Sequence, residues 1–463
     1  MNPRHLRSHR ARRAGGFVAA ALLLHTALLL HGGTGIAAPD VDDPAARTRV
    51  THLENGLVVL TLEDHATPVV AFQMWVRAGS RDESRYTGLA HLFEHMMFKG
   101  SKNIPPEEHA RLVQARGGRI NAYTSRDHTV YHADVSREHL PLVIELEAER
   151  VANLAITQAT LDSERQVVLE ERRLRVDDQP DGRGLEALLA LSFVAHPYRW
   201  PVIGWQSDVE QATLEACRAF FAHYYVPNNL VLAIVGDFDT EEALAIVRRT
   251  FGPLRPAAEI PRNPTREPEQ RGERRATIEF DLRSPVLAAA WHAPASGHAD
   301  AEPLDVLSQI LSAGRSSRLY RRLVYQAQLA LAAEGAYWEL QQAGLFYAFA
   351  SVRPEAKVER VEQILFEEIG RLAQQSVSAA ELEKAKRQLE VGLVDGLATS
   401  HALASRIAYD FVTFGRMRPL AERLAAIQAV TAEDVRRVAR TYLRPEARSV
   451  VRVVPPAAAE RPR

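Results

Sequence analysis

TLEACRAFFAHYYVPNNLVLAIVG, residues 213–236, has a twin. Residues 431–455 read TAEDVRRVARTYLRPEARSVVRVVP, and at an offset of 218 Tyr224 falls on Tyr442 and Pro227 on Pro445. In both stretches a helical pattern opens at a threonine, breaks at a proline turn and continues as an apolar strand. Upstream the likeness persists at an offset of 217, where GRINAYTSRDHTVYHADVS from Gly118 lies over GAYWELQQAGLFYAFASVR from Gly335. Two copies of about 200 residues mean a duplicated domain, since a solenoid repeats in much shorter units. Each copy mixes strand patterns (GLVVLTLED, VVAFQMWVRAG, LVLAIVGDF) with amphipathic helices (REHLPLVIELEAERVAN) and lacks strict βαβ alternation. The fold class is therefore α+β, with two homologous α/β sandwich domains that face each other.

Between the copies, residues 253–275 are rich in Pro and Arg and show neither strand nor helix period, which reads as a linker. The expected plan is residues 1–37 a signal peptide, 38–252 an N-terminal domain, 253–275 the linker and 276–463 a C-terminal domain. The signal reading rests on a basic start (MNPRHLRSHRARRAGG), an apolar run (FVAAALLLHTALLLH) and a small-residue segment (GGTGIAAPD). The apolar run is shorter than the roughly 20 residues a membrane helix needs, so the expectation is export to the periplasm or beyond, with no transmembrane segment in the mature chain. Arg12-Arg13 leaves both the Sec and the twin-arginine routes open.

The 463 residues are 46% hydrophobic and 25% charged, with 57 Lys plus Arg against 58 Asp plus Glu. Such a balance gives no electrostatic reason to expect nucleic acid as a partner. The single cysteine, Cys217, cannot form an internal disulfide and sits in a helical pattern, where it reads as a small buried hydrophobe.

The chemistry-bearing stretch is HLFEHMMFKG, residues 91–100. At about 100° per residue, His91, Glu94 and His95 share one helix face, with the glutamate on the opposite flank from its place in a His-Glu-x-x-His helix. Imidazoles at i and i+4 suit Zn²⁺, and a nearby carboxylate that does not bind the metal suits a general base. Alone, the match is also that of solvated polar side chains. The surrounding Leu89, Leu92, Phe93, Met96, Met97 and Phe98 make the helix a buried one, and burying two histidines and a glutamate without partners is costly. Further on, TLDSERQVVLEERRLRVDD reads as a helix in which Glu164 and Glu171 share a face and Glu170 is turned away by about 100°.

These stretches, with GGRINAYTSRDHTVYHADV, HPYRWPVIGW and YYVPNNLVLAIVGDF, resemble the pitrilysin or insulinase family of inverted-motif (HxxEH) zinc peptidases, and most closely its short members, the mitochondrial processing peptidase and its bacterial relatives. The resemblance covers nearly the whole chain after the leader. It implies one Zn²⁺ per chain, held by His91, His95 and Glu171, the last 76 residues after His95. It further implies Glu94 as general base, Glu164 as the acid beside the ligands, and Asn121 and Ala122 on an edge strand to which an extended peptide or unfolded segment adds. Such enzymes close their site with an arginine and, seven residues later, a tyrosine from the metal-free lobe. Here those positions fall on Val324 and Leu331, neither of which donates a hydrogen bond from its side chain.

Aligning Gly100 with Gly314 sets Asp305 and Gln309 opposite the histidines, so the second copy carries no metal motif. The expectation is a zinc metalloendopeptidase working as the zinc subunit of a heterodimer, with a related metal-free subunit supplying the Arg/Tyr pair. A homodimer and the use of Arg318, Arg321, Arg322 or Tyr325 at a shifted register are the alternatives. A non-catalytic scaffold of the same fold is the rival class. No Gly-x-Ser-x-Gly nucleophile motif occurs.

Overall fold

A computed structural model describes residues 43–456. The expected signal peptide lies outside the described residues. The first sheet contains β1 (Arg49–His52), β2 (Val58–Glu63), β3 (Val69–Val76), β4 (Arg119–Thr124), β5 (Thr129–Ser136) and β6 (Leu230–Gly236) in the order β1-β2-β6-β3-β5-β4. The second contains β7 (Arg274–Glu279), β8 (Val286–Ala293), β9 (Ala330–Trp338), β10 (Gly344–Val352) and β11 (Arg448–Val454) in the order β7-β11-β8-β10-β9. Strand for strand the orders correspond, with β1 as an addition, and each sheet holds one parallel pair, β2 with β6 and β7 with β11. The duplication read from the sequence is thus a duplication of topology. The helices Leu214–Tyr224 and Ala432–Tyr442, and the strands β6 and β11 that follow them, are displaced by the same 218 residues.

Both sheets are buried on both faces, which is why their central strands read as unbroken apolar runs. Along β3, Val70, Phe72, Met74 and Val76 enter one core while Ala71 and Trp75 enter another on the opposite side. The second face of each sheet is covered by a helix from the other half. Helix Ser400–Phe414 presents Leu403, Ala404, Ile407, Ala408 and Phe411 to the first sheet, a stripe of helical period. Reciprocally, helix Pro180–Ser192 and the residue after it bring Leu188, Leu189 and Phe193 against Val286, Ala288, Ala290, Val451 and Val453 of the second. A polar pair anchors the first exchange: buried Gln73 of β3 donates from Nε2 to the carbonyl of His401 (3.1 Å) and to Ser405 Oγ (2.8 Å). Ile407 is 2% exposed at the middle of this contact. Ile407→Ala is expected to cost about 2–5 kcal/mol in unfolding free energy, measured by urea titration.

The stretch read as a linker is tied down, and β7 begins two residues inside it. Arg262 donates to the carbonyl of Arg77, to Asp82 and to Asn229. Glu267 accepts the N–H groups of Val194, Ala195 and His196. Pro-rich composition marks the absence of regular structure but says nothing about how side chains pin the segment. Cys217 is fully buried, and burial lifts its thiol to about 11.

Candidate metal centre

The motif helix is Leu89–Met96, and its start is prepared by two residues with no side-chain role in the chemistry. Gly88 caps it at φ +90°, where an added Cβ would lie 2.7 Å from the Ile203 carbonyl. That conformation and that closeness both call for glycine. The first turn's free N–H groups are met by Glu83, buried to 1% exposure, whose carboxylate accepts from Gly88 and Ala90 at 2.8 Å each. With both oxygens taken by these N–H groups, Glu83 fixes the turn that carries His91, while burial pushes it well above the usual carboxylate range.

Opposite runs helix Gln158–Arg172, opened by a capping box at Thr157 and Thr160. It brings Glu171 Oε2 to 3.2 Å from His95 Nε2 and 3.8 Å from His91 Nε2. The three candidate ligand atoms lie within 4.8 Å of one another, and they form the one such cluster of histidine, cysteine and acidic groups found among the described residues. Two imidazoles and one carboxylate at that spacing fit the donor set of a catalytic zinc site with a position left over. The adjacent Glu170 points to solvent and pairs with Arg173 at 2.6 Å. Glu164, 1% exposed, stands 3.6 Å from His95 Nδ1, with Lys99 Nζ at 3.2 Å from its other oxygen.

The electrostatics divide the two histidines. Burial, reinforced by His95, depresses His91 to about 4, so its ring is neutral and able to bind a cation. Burial also opposes charge on His95, but its bonds to Glu164 and Glu171 prevail and raise it to about 9. The bond to His95 and the neighbouring cations hold Glu171 below the usual carboxylate range. Burial pushes Glu94 above it, against the pull of a hydrogen bond from Thr124 Oγ1 to Glu94 Oε2 at 2.7 Å.

That Thr124 bond joins the motif helix to β4, which pairs with β5 alone and leaves its other side free of any described strand. Asn121 is exposed on this edge, while Ala122 is 8% exposed and turned toward the core under the motif helix. Sequence reasoning singled out Asn121 and Ala122 but passed over Thr124 and Glu83. Their partners lie 30 and five to seven residues away, at spacings that carry no periodic signal.

In the second half, helix Ala301–Ser312 occupies the place of the motif helix, with Asp305 and Gln309 on it. Ser308 Oγ instead accepts the N–H of Tyr337 at 2.8 Å. Val324 packs partly buried on the second core and Leu331 is 50% exposed on β9. Arg318 is engaged by Glu381 at 2.9 Å and Arg322 by Glu368 at 2.8 Å, while Tyr325 is 74% exposed. No helix among the described residues is long and apolar enough to cross a membrane.

Residues 58–204 match Insulinase (Peptidase family M16), and residues 211–389 match the Peptidase M16 inactive domain. The chain is 31% identical over 397 residues to the zinc protease PqqE of Helicobacter pylori, covering 85% of this chain and 89% of that one. It is 28% identical over 416 residues to an Arabidopsis thaliana chain named "Probable mitochondrial-processing peptidase subunit beta, mitochondrial", covering 86% of this chain and 77% of the relative. A crystal structure of a protease from Helicobacter pylori superposes with a TM-score of 0.85 at 30% identity, over 88% of this chain and 99% of that one.

Proposed function

The chain belongs to the insulinase family, peptidase family M16, and from that premise we propose that it is a zinc-dependent endopeptidase acting on peptides or unfolded segments laid along β4. The observation that carries this reading is the convergence of His91, His95 and Glu171 within 4.8 Å beside a half-buried Glu94. One zinc ion per chain, held by those three residues, would supply Lewis-acid polarisation of a peptide carbonyl and make water acidic near neutral pH. Glu94 does the proton work. Thr124 occupies one of its oxygens and leaves the other to take a proton from the attacking water and return it to the departing amine. Glu164, beside His95 Nδ1, orients that ring. Along β4, the backbone flanking Asn121 and Ala122 offers hydrogen bonds to an added strand, which gives affinity without demanding a particular sequence.

The lack of side-chain donors at Val324 and Leu331 supports a heterodimer in which this chain is the zinc subunit and a related metal-free subunit brings an arginine and a tyrosine. The likeness to a processing-peptidase subunit beta favours the same arrangement. With the basic and apolar leader of the sequence, we place its work outside the cytoplasm. The test is hydrolysis of internally quenched peptides by the mature chain alone and mixed with a metal-free relative carrying the pair. Mixing is expected to raise turnover about 10²–10³-fold, the worth of a preorganised donor to the developing oxyanion. Full chelator-sensitive turnover by this chain alone would remove the heterodimer, and no turnover in either case would favour the scaffold.

A further inference from the structure

The tip of the β4–β5 hairpin holds a cation with no direct ion pair or hydrogen bond to its side chain among the described residues. Arg126 is 7% exposed, yet its side chain makes no hydrogen bond or ion pair with any described residue, and its Nε is sealed from solvent unpartnered. Its neighbour is Trp338 of β9, whose ring centre lies 4.5 Å from Cζ. The adjacent carboxylate is spent elsewhere: Asp127 takes the guanidinium of Arg81 and the hydroxyl of Tyr198 on one oxygen and the N–H of Gln341, at 3.1 Å, on the other. Glu339, the residue just past β9, accepts from the N–H of Gly297 at 3.3 Å and forms no ion pair with Arg126. Burial lowers Arg126 to about 10, against the pull of the neighbouring Asp127 charge.

A buried, unpaired guanidinium is costly, and this one lies two residues past Thr124, whose hydroxyl holds Glu94. We propose that Arg126 is a binding site for a carboxylate of the peptide that lies along β4, within a few residues of the bond that is cut. Trp338 holds the planar guanidinium in place, and the planar fork suits the two oxygens of a carboxylate. An added strand advances about 3.4 Å per residue, so the two residues from Thr124 to Arg126 correspond to about two substrate positions. A strand antiparallel to β4 puts those positions on the amino-terminal side of the cut and selects an acidic side chain there. A parallel strand puts them on the other side, within reach of an acidic side chain or a free C-terminus.

This inference rests on the peptidase reading, so its test measures binding apart from turnover. Zinc-loaded Glu94→Gln protein is titrated with fluorescent peptides carrying Glu or Gln at one scanned position, each made with a free or an amidated C-terminus, and anisotropy is read. One position, or the free terminus, is expected to favour the carboxylate at least about tenfold. Arg126→Gln should bring that ratio to about one, and Arg126→Lys should restore part of it. Thermal unfolding of Arg126→Gln should show no loss, because the substitution removes an unpaired buried cation. Binding without preference for a carboxylate, or a preference that survives Arg126→Gln, overturns the inference and leaves the peptidase reading intact. If no peptide binds and the unmutated chain cleaves none, both fall.

Discussion

Glu94→Gln is expected to keep zinc and lose about 10²–10⁴-fold in kcat, the usual worth of a positioned general base. The substitution keeps the shape of the side chain and its bond to Thr124, and removes only the basic oxygen. Glu94 is not among the three groups whose ligand atoms converge, so metal content, measured by elemental analysis of the purified protein, should stay at one ion per chain. A variant that retained full turnover would show that another group takes the proton.

Glu171→Ala should release the metal as well as the activity. Among the described residues, it removes the only carboxylate whose oxygen reaches both histidines, at 3.2 and 3.8 Å. The loss of zinc affinity should exceed the roughly 10–100-fold that partners outside the ligand shell are worth. Glu170→Ala is the matched control. Its carboxylate faces solvent and pairs with Arg173, and a solvent-exposed pair of this kind contributes little. Competition with a chromophoric chelator reads both variants directly, and the reverse order of affinities would move the third ligand by one residue.

What could be read from the sequence was what is local or repeated. His91, Glu94 and His95 fall within one and a half turns of helix, so their shared face follows from helical geometry alone. The correspondence of β6 with β11 was legible because a duplicated chain keeps its register through helix, turn and strand. Pairings between distant segments were not legible. Nothing in SHALASRIAYDF announces that Leu403 and Ile407 cover the sheet of the other half, because a helical stripe states that a face is buried and not against what. Thr124 reads as one more β-branched strand residue until its hydroxyl is found on Glu94. Arg126, in a polar turn, reads as solvated, and only the arrival of Trp338 from the other half encloses it.

The exchanged helices have a bearing on how this molecule is inherited and handled. A gene fragment ending near residue 252 would encode a sheet whose outer face, with Leu60, Trp75, Val130 and Val231, has lost its cover. It would also carry Leu188, Leu189 and Phe193 on a helix with nothing to lie on. The complementary fragment would have the mirror-image defect. Each half is thus a prosthesis for the other. A protease nick in residues 253–275 should leave two pieces that stay clasped, and a gene cut there should yield two products that meet again only by mutual rescue.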